Sequence, residues 1–267
     1  MAVWDDYNWR FWSPKDEPLP KLSSKYRKIS LCTTCMDRLH DLKETLPKNI
    51  EDNKYYPNLE FVILDYNSTD GLEQWIKSDM MDHIETGRLV YYRTQEPEYF
   101  EMGHSRNVAF RLALGNIVNN VDADNFVNKD FADMLNSMAE VCPQKAVFCK
   151  GKRGMHGRIG FYKNEFLSLG GYDEDLVGYG FDDHSLVYRA MGSDFKMMWW
   201  GGKYYDRIKT PRKEVVTNMR DKNWKKTENK NKEITFAKIK NKEWKVNVNR
   251  PWGKAKLVRN FNTEIYI

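Results

Sequence analysis

Apolar and polar positions follow a regular pattern between Arg27 and Phe148, where short apolar runs alternate with amphipathic stretches. The apolar runs have the length of buried strands. The stretches between them carry apolar residues at intervals of three and four, as helices covering a sheet do. The predicted strands are Ile29–Thr33, Leu59–Leu64, Leu89–Tyr92, Ile117–Val121 and Ala146–Cys149, and the predicted helices are Arg38–Leu46, Gly71–Ser78, His104–Leu114 and Lys129–Glu140. This alternation predicts an α/β fold with a mostly parallel sheet flanked by helices.

The pattern is lost at both ends of the chain. Residues 1–26 are rich in aromatic residues and proline without a helical or strand period, and residues 210–267 are rich in lysine and asparagine. We therefore predict an N-terminal arm (1–26), a central α/β domain (27–209) and a basic C-terminal extension (210–267). Widely spaced aromatic residues, among them Trp224, Trp244 and Trp252, could dock this extension on the domain.

Composition is that of a folded protein, with 41% hydrophobic and 30% charged residues and a mean hydropathy of −0.75. No stretch approaches the roughly 18 to 20 apolar residues that a membrane span needs, and the N-terminus lacks a signal pattern. We expect a cytoplasmic protein without a transmembrane segment; peripheral contact with a membrane stays open. The four cysteines are expected to be reduced and buried.

Two carboxylates follow the predicted strand Ile117–Val121, in the sequence Asp122-Ala123-Asp124. Carboxylates one residue apart at a strand end can reach one hard divalent cation, which suits Mn²⁺ or Mg²⁺. Such a short motif also arises by chance, and the chain has a second one, Asp173-Glu174-Asp175. Because only the first pair follows a strand, we predict that the metal binds there.

Further polar residues stand where ligands bind in α/β sheets, after the carboxyl ends of strands. Asp65 ends a strand, Arg106 and Asn107 lie early in a helix, and Asp182 and Asp183 begin another helix. Each also has a purely structural interpretation, as a turn former, an exposed helix charge or a helix cap. Their order along the chain distinguishes the two interpretations better than any one of them does.

The ordered motifs DYNSTDG, SRN, VDAD, GGYDE and GYGFDD resemble glycosyltransferase family two and its relatives with the GT-A fold, over Ile29 to Met198. The last motif is also similar to the carboxyl-terminal motif of galactosyltransferase-type enzymes. The resemblance implies the nucleotide-diphospho-sugar transferase fold and a metal-dependent transfer of a sugar from a nucleotide-sugar, a UDP-sugar first, to an acceptor hydroxyl. Inversion is expected by analogy.

The resemblance also implies roles for individual residues. Asp122 and Asp124 match the metal-binding motif, Asp183 matches the general base, and Asp182 matches an acidic neighbour that contacts the acceptor. The implied donor-binding residues are Thr33, Thr34, Arg38, Asp65, Arg106, Asn107 and Asp122. A carboxylate such as that of Asp183, desolvated and near a second acid, is expected to have a raised pKa.

Two departures from the family pattern stand out. Tyr66 follows Asp65 where many members have a second acid, and no histidine follows His184, although relatives often supply a metal-binding histidine there. Asp206 is a possible substitute ligand. The basic segment Lys150–Arg158 is either a loop that closes over a diphosphate or a surface hairpin.

Three hypotheses for the function stay open. The acceptor of a glycosyltransferase with this resemblance is by default a saccharide of a surface polysaccharide or of a lipid-linked glycan. The lysine-rich extension with its tryptophans also fits sugar transfer onto hydroxymethylated bases in DNA. The third hypothesis is a non-catalytic carbohydrate- or nucleic-acid-binding module.

Overall fold

The computed structural model describes residues 11–12, 25–150, 157–201, 204 and 206–267. Within these residues one mixed sheet of ten strands forms the centre of the fold, in the order β1-β9-β7-β8-β5-β2-β3-β4-β11-β12. The strands of this sheet are β1 (Phe11–Trp12), β2 (Ile29–Cys35), β3 (Leu59–Tyr66), β4 (Leu89–Thr94), β5 (Ile117–Asn120), β7 (Ala146–Lys150), β8 (Ile159–Tyr162), β9 (Lys196–Trp200), β11 (Lys256–Arg259) and β12 (Thr263–Tyr266). A separate small antiparallel pair joins β6 (Asn125–Phe126) to β10 (Asp206–Arg207).

The middle of the sheet is parallel, because β2 pairs with β3 and β5, and β3 pairs with β4. Strand β8 is antiparallel to both neighbours, β5 and β7, and β11 pairs antiparallel with β4. The helices are α1 (Leu39–Asp52), α2 (Leu72–Asp79), α3 (Met81–Glu85), α4 (Met102–Leu112), α5 (Phe131–Val141), α6 (Lys163–Ser168), α7 (Asp182–Gly192), α8 (Arg212–Val215) and α9 (Trp224–Lys240).

Helices cover both faces of the sheet, and the alternation of side chains along the central strands explains why. In β3, Phe61 and Ile63 belong to one apolar cluster, with residues of α1, α2 and α5, while Val62 and Leu64 belong to another, with residues of α4 and α7. Successive side chains of a strand point to opposite faces, so a strand that is apolar throughout requires a cover on each side. The predicted α/β fold is therefore confirmed.

All five predicted strands and four predicted helices are present, with shifted ends. The largest shift is in α1, which was predicted to end at Leu46, before a proline, and instead continues to Asp52 with Pro47 inside it. Proline inside a helix removes one hydrogen bond and its ring crowds the preceding turn, and α1 offsets that cost by burying Leu42, Leu46 and Ile50. Tertiary packing here outweighs the local signal.

The segment predicted as a C-terminal extension contributes directly to the sheet, since β11 and β12 lie at its edge beyond β4. The sheet therefore does not end at residue 209. Helix α9 packs against α7, and its buried residues are Thr227, Asn231 and Thr235, spaced four residues apart. The buried stripe of this helix is polar.

No helix among the described residues is long and apolar enough to cross a membrane. All four cysteines are free and buried, as the sequence predicts.

Candidate active site

A cavity of about 540 Å³ lies at the carboxyl ends of the parallel strands. Its size is that of a small-molecule site. Thr34 lies near the end of β2, and Asp122 and Asp124 follow β5, so the strand order places them at one edge of the sheet. Seven of the predicted site residues line the cavity: Thr34, Arg38, Arg106, Asp122, Asp124, Asp182 and Asp183.

Arg106 joins the two acidic motifs. Its Nη2 lies 2.9 Å from Oδ1 of Asp122, and its Nη1 contacts Oδ2 of Asp182. Burial of the guanidinium opposes its charge, but the carboxylates of Asp182 and Asp122 keep the pKa of Arg106 above its ordinary value. This buried cation fixes the distance between the strand-end aspartates and the start of α7.

Asp122 and Asp124 fit a divalent cation as far as two carboxylates can. Oδ1 of Asp122 accepts hydrogen bonds from Arg106 and from Nδ2 of Asn120 at 2.8 Å, and the nearest side-chain partner of Asp124 is Asn125. Both residues line the cavity. Among the described residues no group of three or more His, Cys, Asp or Glu could hold a metal. Mg²⁺ is commonly bound by one or two carboxylates together with substrate phosphates, so two ligands suffice.

The electrostatics of Asp124 favour a cation. Burial and the neighbouring charge of Asp122 raise the pKa of Asp124 to about 6. A carboxylate whose pKa is raised in this way lacks compensating positive charge in the protein alone. A bound cation would supply that charge.

Asp183 is buried at the first turn of α7, and both of its carboxylate oxygens are hydrogen bonded. Oδ2 accepts from the N–H of Gly157 at 3.0 Å, and Oδ1 accepts from the N–H of His184 at 2.7 Å and contacts its Nδ1 at 2.8 Å. Burial opposes the charged form, but the hydrogen bond and charge of His184 together with the charge of Arg106 lower the pKa of Asp183. The expectation of a raised pKa was wrong, because these partners outweigh desolvation.

The pKa of His184, the partner of Asp183, shifts in the opposite direction. Burial would lower its pKa, but the hydrogen bond and charge of Asp183, with the charges of Asp182 and Glu228, raise the pKa of His184 overall. Asp183 is thus ionised at neutral pH and able to accept a proton.

Three predicted donor-binding residues do not line the cavity. Thr33 is buried in β2. Asp65 is fully buried and accepts hydrogen bonds from the hydroxyl of Tyr91 at 2.5 Å and the N–H of Ser68 at 2.7 Å. Asn107 donates to the carbonyl of Tyr172 at 2.9 Å and to Glu174 at 2.8 Å. Asp65 and Asn107 stabilise the strand ends and the GGYDE segment here, and donor contact by these three residues stays a prediction.

The second Asp-x-Asp sequence lies outside the cavity. Asp173 is fully buried 2.7 Å from Nζ of Lys238 on α9, and Asp175 contacts both Lys238 and Arg250. These ion pairs attach the C-terminal part of the chain to the domain.

The family model of glycosyl transferase family 2 matches residues 30–190. The chain belongs to this family. The match spans every predicted site residue, from Thr33 to Asp183.

Among solved structures, the chain is similar to the mannosyltransferase PcManGT from Pyrobaculum calidifontis, solved in complex with GDP-Man and Mn²⁺. The identity is 21%, the TM-score is 0.59, and the alignment covers 70% of this chain and 59% of that one. It is also similar to TarS 1-349 of S. aureus in complex with UDP, at 16% identity and a TM-score of 0.57, covering 69% and 61%. GalNAc-T7, solved with UDP, GalNAc and Mn²⁺, aligns at 12% identity and a TM-score of 0.54, covering 68% and 46%. Comparison with curated protein sequences finds no match.

These likenesses confirm the predicted GT-A fold. The chain aligns with less than two thirds of the length of each of these structures.

Several cavity residues of this family member were not predicted from the sequence. They come from the loop before α7, from β10 and from the segment after it, and include Tyr179, Phe181, Arg207, Arg212 and Glu228. A glycine-rich loop before a pair of acids was the only local signal for the first two. Arg207 lies beside the metal-candidate aspartates because β10 pairs with β6, whereas Asp206, the possible third ligand, is exposed and does not line the cavity.

Phe181 has a backbone φ of 70°, in the left-handed region that a bulky residue rarely adopts. Such a conformation costs on the order of 1–2 kcal/mol. Strained residues of this kind cluster at functional sites. Within the basic segment Lys150–Arg158, residues 151–156 lie outside the described part of the chain.

Proposed function

We propose that this chain is a metal-dependent glycosyltransferase that moves a sugar from a nucleotide-sugar donor to an acceptor hydroxyl, with inversion. The observation that supports this most directly is the pair of contacts made by Arg106. One cation joins Asp122, next to Asp124, to Asp182, next to Asp183, so the candidate metal ligands and the candidate base lie on one cavity wall. A binding module has no need of this arrangement.

On the donor side, Asp122 and Asp124 would hold Mn²⁺ or Mg²⁺ against the diphosphate. A divalent cation there acts as a Lewis acid that stabilises the charge developing on the leaving diphosphate. Thr34 and Arg38 line the cavity and are placed to contact the nucleoside, with Thr33 behind them. Structures with similar folds contain GDP-Man or UDP, and we expect a UDP-sugar here.

On the acceptor side, Asp183 is the proposed base. An ionised carboxylate has about four acceptor positions, so Oδ2 can accept from a substrate hydroxyl while it also accepts from Gly157. The acceptor O–H proton moves to this oxygen as the acceptor oxygen bonds to the anomeric carbon, and the bond from that carbon to the diphosphate breaks. Attack from the face opposite the diphosphate inverts the configuration. General-base assistance of this kind gives about 10²- to 10⁴-fold.

We propose a saccharide acceptor, of a surface polysaccharide or a lipid-linked glycan, rather than DNA. The DNA hypothesis depends on tryptophans that are free to stack on bases. Trp224 instead packs against Tyr179, and Trp252 against Phe166 and Arg111. A cytoplasmic location is also proposed, supported by the free, buried cysteines, which fit a reducing compartment.

The experiment that tests this function measures release of nucleoside diphosphate from a panel of UDP- and GDP-sugars with Mn²⁺, Mg²⁺ or a chelator. It compares the native chain with Asp183→Asn and with the control Asp194→Asn, an exposed aspartate near the other end of α7. We expect turnover of one donor only with metal, a loss of about 100-fold or more in Asp183→Asn, and no loss in the control.

Turnover that is insensitive to the chelator would contradict metal dependence. If no donor binds with either metal, the transferase proposal is wrong and the binding-module hypothesis takes its place. The configuration of the product, followed by NMR, decides between inversion and retention.

A further inference from the structure

The C-terminal helix α9 forms part of the cavity wall, although it lies outside the residues matched by the family model. Glu228, in the second turn of α9, lines the cavity together with Phe181 and Asp183. It packs on Gly180, whose φ is 92° and where an added Cβ would lie 3.2 Å from Cβ and Cγ of Glu228. A side chain at position 180 would have a strained backbone and would press against Glu228, which would have to shift by a few tenths of an ångström.

Direct polar contacts fix α9 on the loop that precedes Asp182. The hydroxyl of Thr227 accepts from the N–H of Tyr179 at 3.3 Å and donates to the carbonyl of the same residue at 3.0 Å. Nδ2 of Asn231 donates to the carbonyl of Gly180 at 2.8 Å. Because these bonds flank Glu228 along the helix, they fix its backbone relative to the loop that precedes Asp182.

Two aromatic side chains of the same loop face the cavity while half-buried. Phe181 stacks on His184 with centroids 5.0 Å apart and an interplanar angle of 14°. The guanidinium of Arg212 lies 4.4 Å from the centre of the Tyr179 ring. The left-handed backbone of Phe181 places a large ring directly beside the two acids of α7, at a position where a small residue would be less strained.

We propose that Tyr179, Phe181 and Glu228 form the acceptor subsite, and that it takes a neutral hexopyranose ring; this inference rests on the proposed function. The C–H groups of one pyranose face pack on the electron-rich face of an aromatic ring. The carboxylate of Glu228 accepts hydrogen bonds from ring hydroxyls. Pockets of this kind combine aromatic walls with a few polar groups that fix orientation.

Charge on this wall determines the class of sugar. Asp182 is paired with Arg106 and Asp183 with His184, whereas the carboxylate of Glu228 makes no hydrogen bond or ion pair with another described residue. A uronic acid or phosphorylated sugar would bring a second negative charge against that carboxylate. Arg212 also lines the cavity, but it is held over the Tyr179 ring. Like charges brought together out of water are unfavourable, so a neutral ring is favoured over an anionic one beside Glu228.

The test uses the full chain with the donor identified by the diphosphate-release assay. Methyl glycosides of glucose, galactose, mannose and N-acetylglucosamine are compared with methyl glucuronide as acceptors, and donor hydrolysis in water is measured separately. The variants are Glu228→Gln, Phe181→Asn and the control Glu233→Gln, an exposed glutamate on the same helix that does not line the cavity. Asparagine tolerates the left-handed backbone at position 181.

We expect a neutral glycoside to be glycosylated in preference to the glucuronide. Glu228→Gln and Phe181→Asn should each raise the KM for that glycoside about tenfold, with a smaller change in kcat and in the KM for the donor. Glu233→Gln should behave as the native chain.

Donor turnover combined with preference for the glucuronide, with no neutral glycoside accepted, or with an unchanged acceptor KM in both variants would overturn the acceptor subsite and leave the proposed transferase intact. Failure of every donor would remove both.

Discussion

Asp122-Ala123-Asp124 and Asp173-Glu174-Asp175 have the same carboxylate spacing and opposite surroundings. At the first motif the carboxylates line a cavity, and Arg106, the ion-pair partner of Asp122 among the described residues, is shared with Asp182. At the second, Lys238 and Arg250 neutralise both aspartates. A short acidic motif therefore indicates a metal site only where the fold leaves its charge uncompensated.

The largest expected difference is in catalysis. Asp124→Asn removes a proposed metal ligand and should lower the rate of diphosphate release with Mn²⁺ by about 10³-fold, equivalent to roughly 4 kcal/mol. The matched change at the second motif, Asp175→Asn, should alter the rate less than about threefold. Equal losses in the two variants would show that both motifs act through stability alone.

For the free energy of unfolding, we expect the larger loss at the second motif rather than at the first. Asp173 is fully buried against Lys238, so Asp173→Asn should reduce the free energy of unfolding by about 3 kcal/mol. Asp124→Asn removes a carboxylate that Asp122 repels and should increase the free energy of unfolding of the metal-free protein by about 1 kcal/mol near pH 7.5. Denaturant titrations with a chelator present measure both, and a destabilised Asp124→Asn protein would contradict the account of that carboxylate.

The two motifs should also differ in the sign of their pH dependence. Burial and Asp122 raise the pKa of Asp124 to about 6 from 3.8, so its protonated form stabilises the fold at low pH and that contribution is lost as the pH rises through about 6. Hydrogen bonds from Lys238 and Arg250 lower the pKa of Asp175, although burial opposes this, so its contribution is present above the ordinary range and lost as the pH falls.

The stability of the native chain and of the two variants should be measured from about pH 2.5 to about pH 7.5, a range that includes the ordinary pKa of an aspartate and values below it. We expect Asp124→Asn to remove a slope that falls with rising pH, and Asp175→Asn to remove a slope that rises with pH. A slope of the same sign for both would refute the assignment.

The smallest expected effect is at Arg250. Its ion pair with Asp175 is largely exposed, so Arg250→Gln should change the free energy of unfolding by less than about 1 kcal/mol and leave diphosphate release unchanged. A large loss of stability would mean that the second motif depends on Arg250 rather than on the buried contact with Lys238. Thermal melting with the native chain alongside is sufficient to decide.

The central sheet was predictable because its signals are local. Strands such as β2 and β3 are apolar along their whole length, and the helices between them carry apolar residues at helical intervals. The same is true of Asp122 and Asp124, whose position after a strand is visible in the sequence. The family match extends over these same residues.

The acceptor side of the cavity could not be predicted in this way. Helix α9 buries Thr227, Asn231 and Thr235, so a search for apolar periodicity does not detect which face it docks. The contact between Glu228 and Gly180 joins positions far apart in sequence, and no local pattern indicates it. At Asp65 the sequence pattern was present but the structure does not place the residue in the cavity. This strand-end acid matches the family pattern, yet its carboxylate accepts hydrogen bonds from Tyr91 and Ser68.

The buried residues of α9 are polar, so docking this helix changes the heat capacity differently from docking the helices that cover the sheet. Burial of apolar surface in the sheet lowers the heat capacity, whereas burial of hydroxyl and amide groups along Thr227, Asn231 and Thr235 changes it by a smaller amount per unit area and with the opposite sign. Cooling therefore weakens the attachment of helices to the sheet more than it weakens the attachment of α9 to the loop at Gly180. The polar contacts that hold α9 beside Gly180 are therefore less sensitive to cooling than the apolar contacts of the sheet.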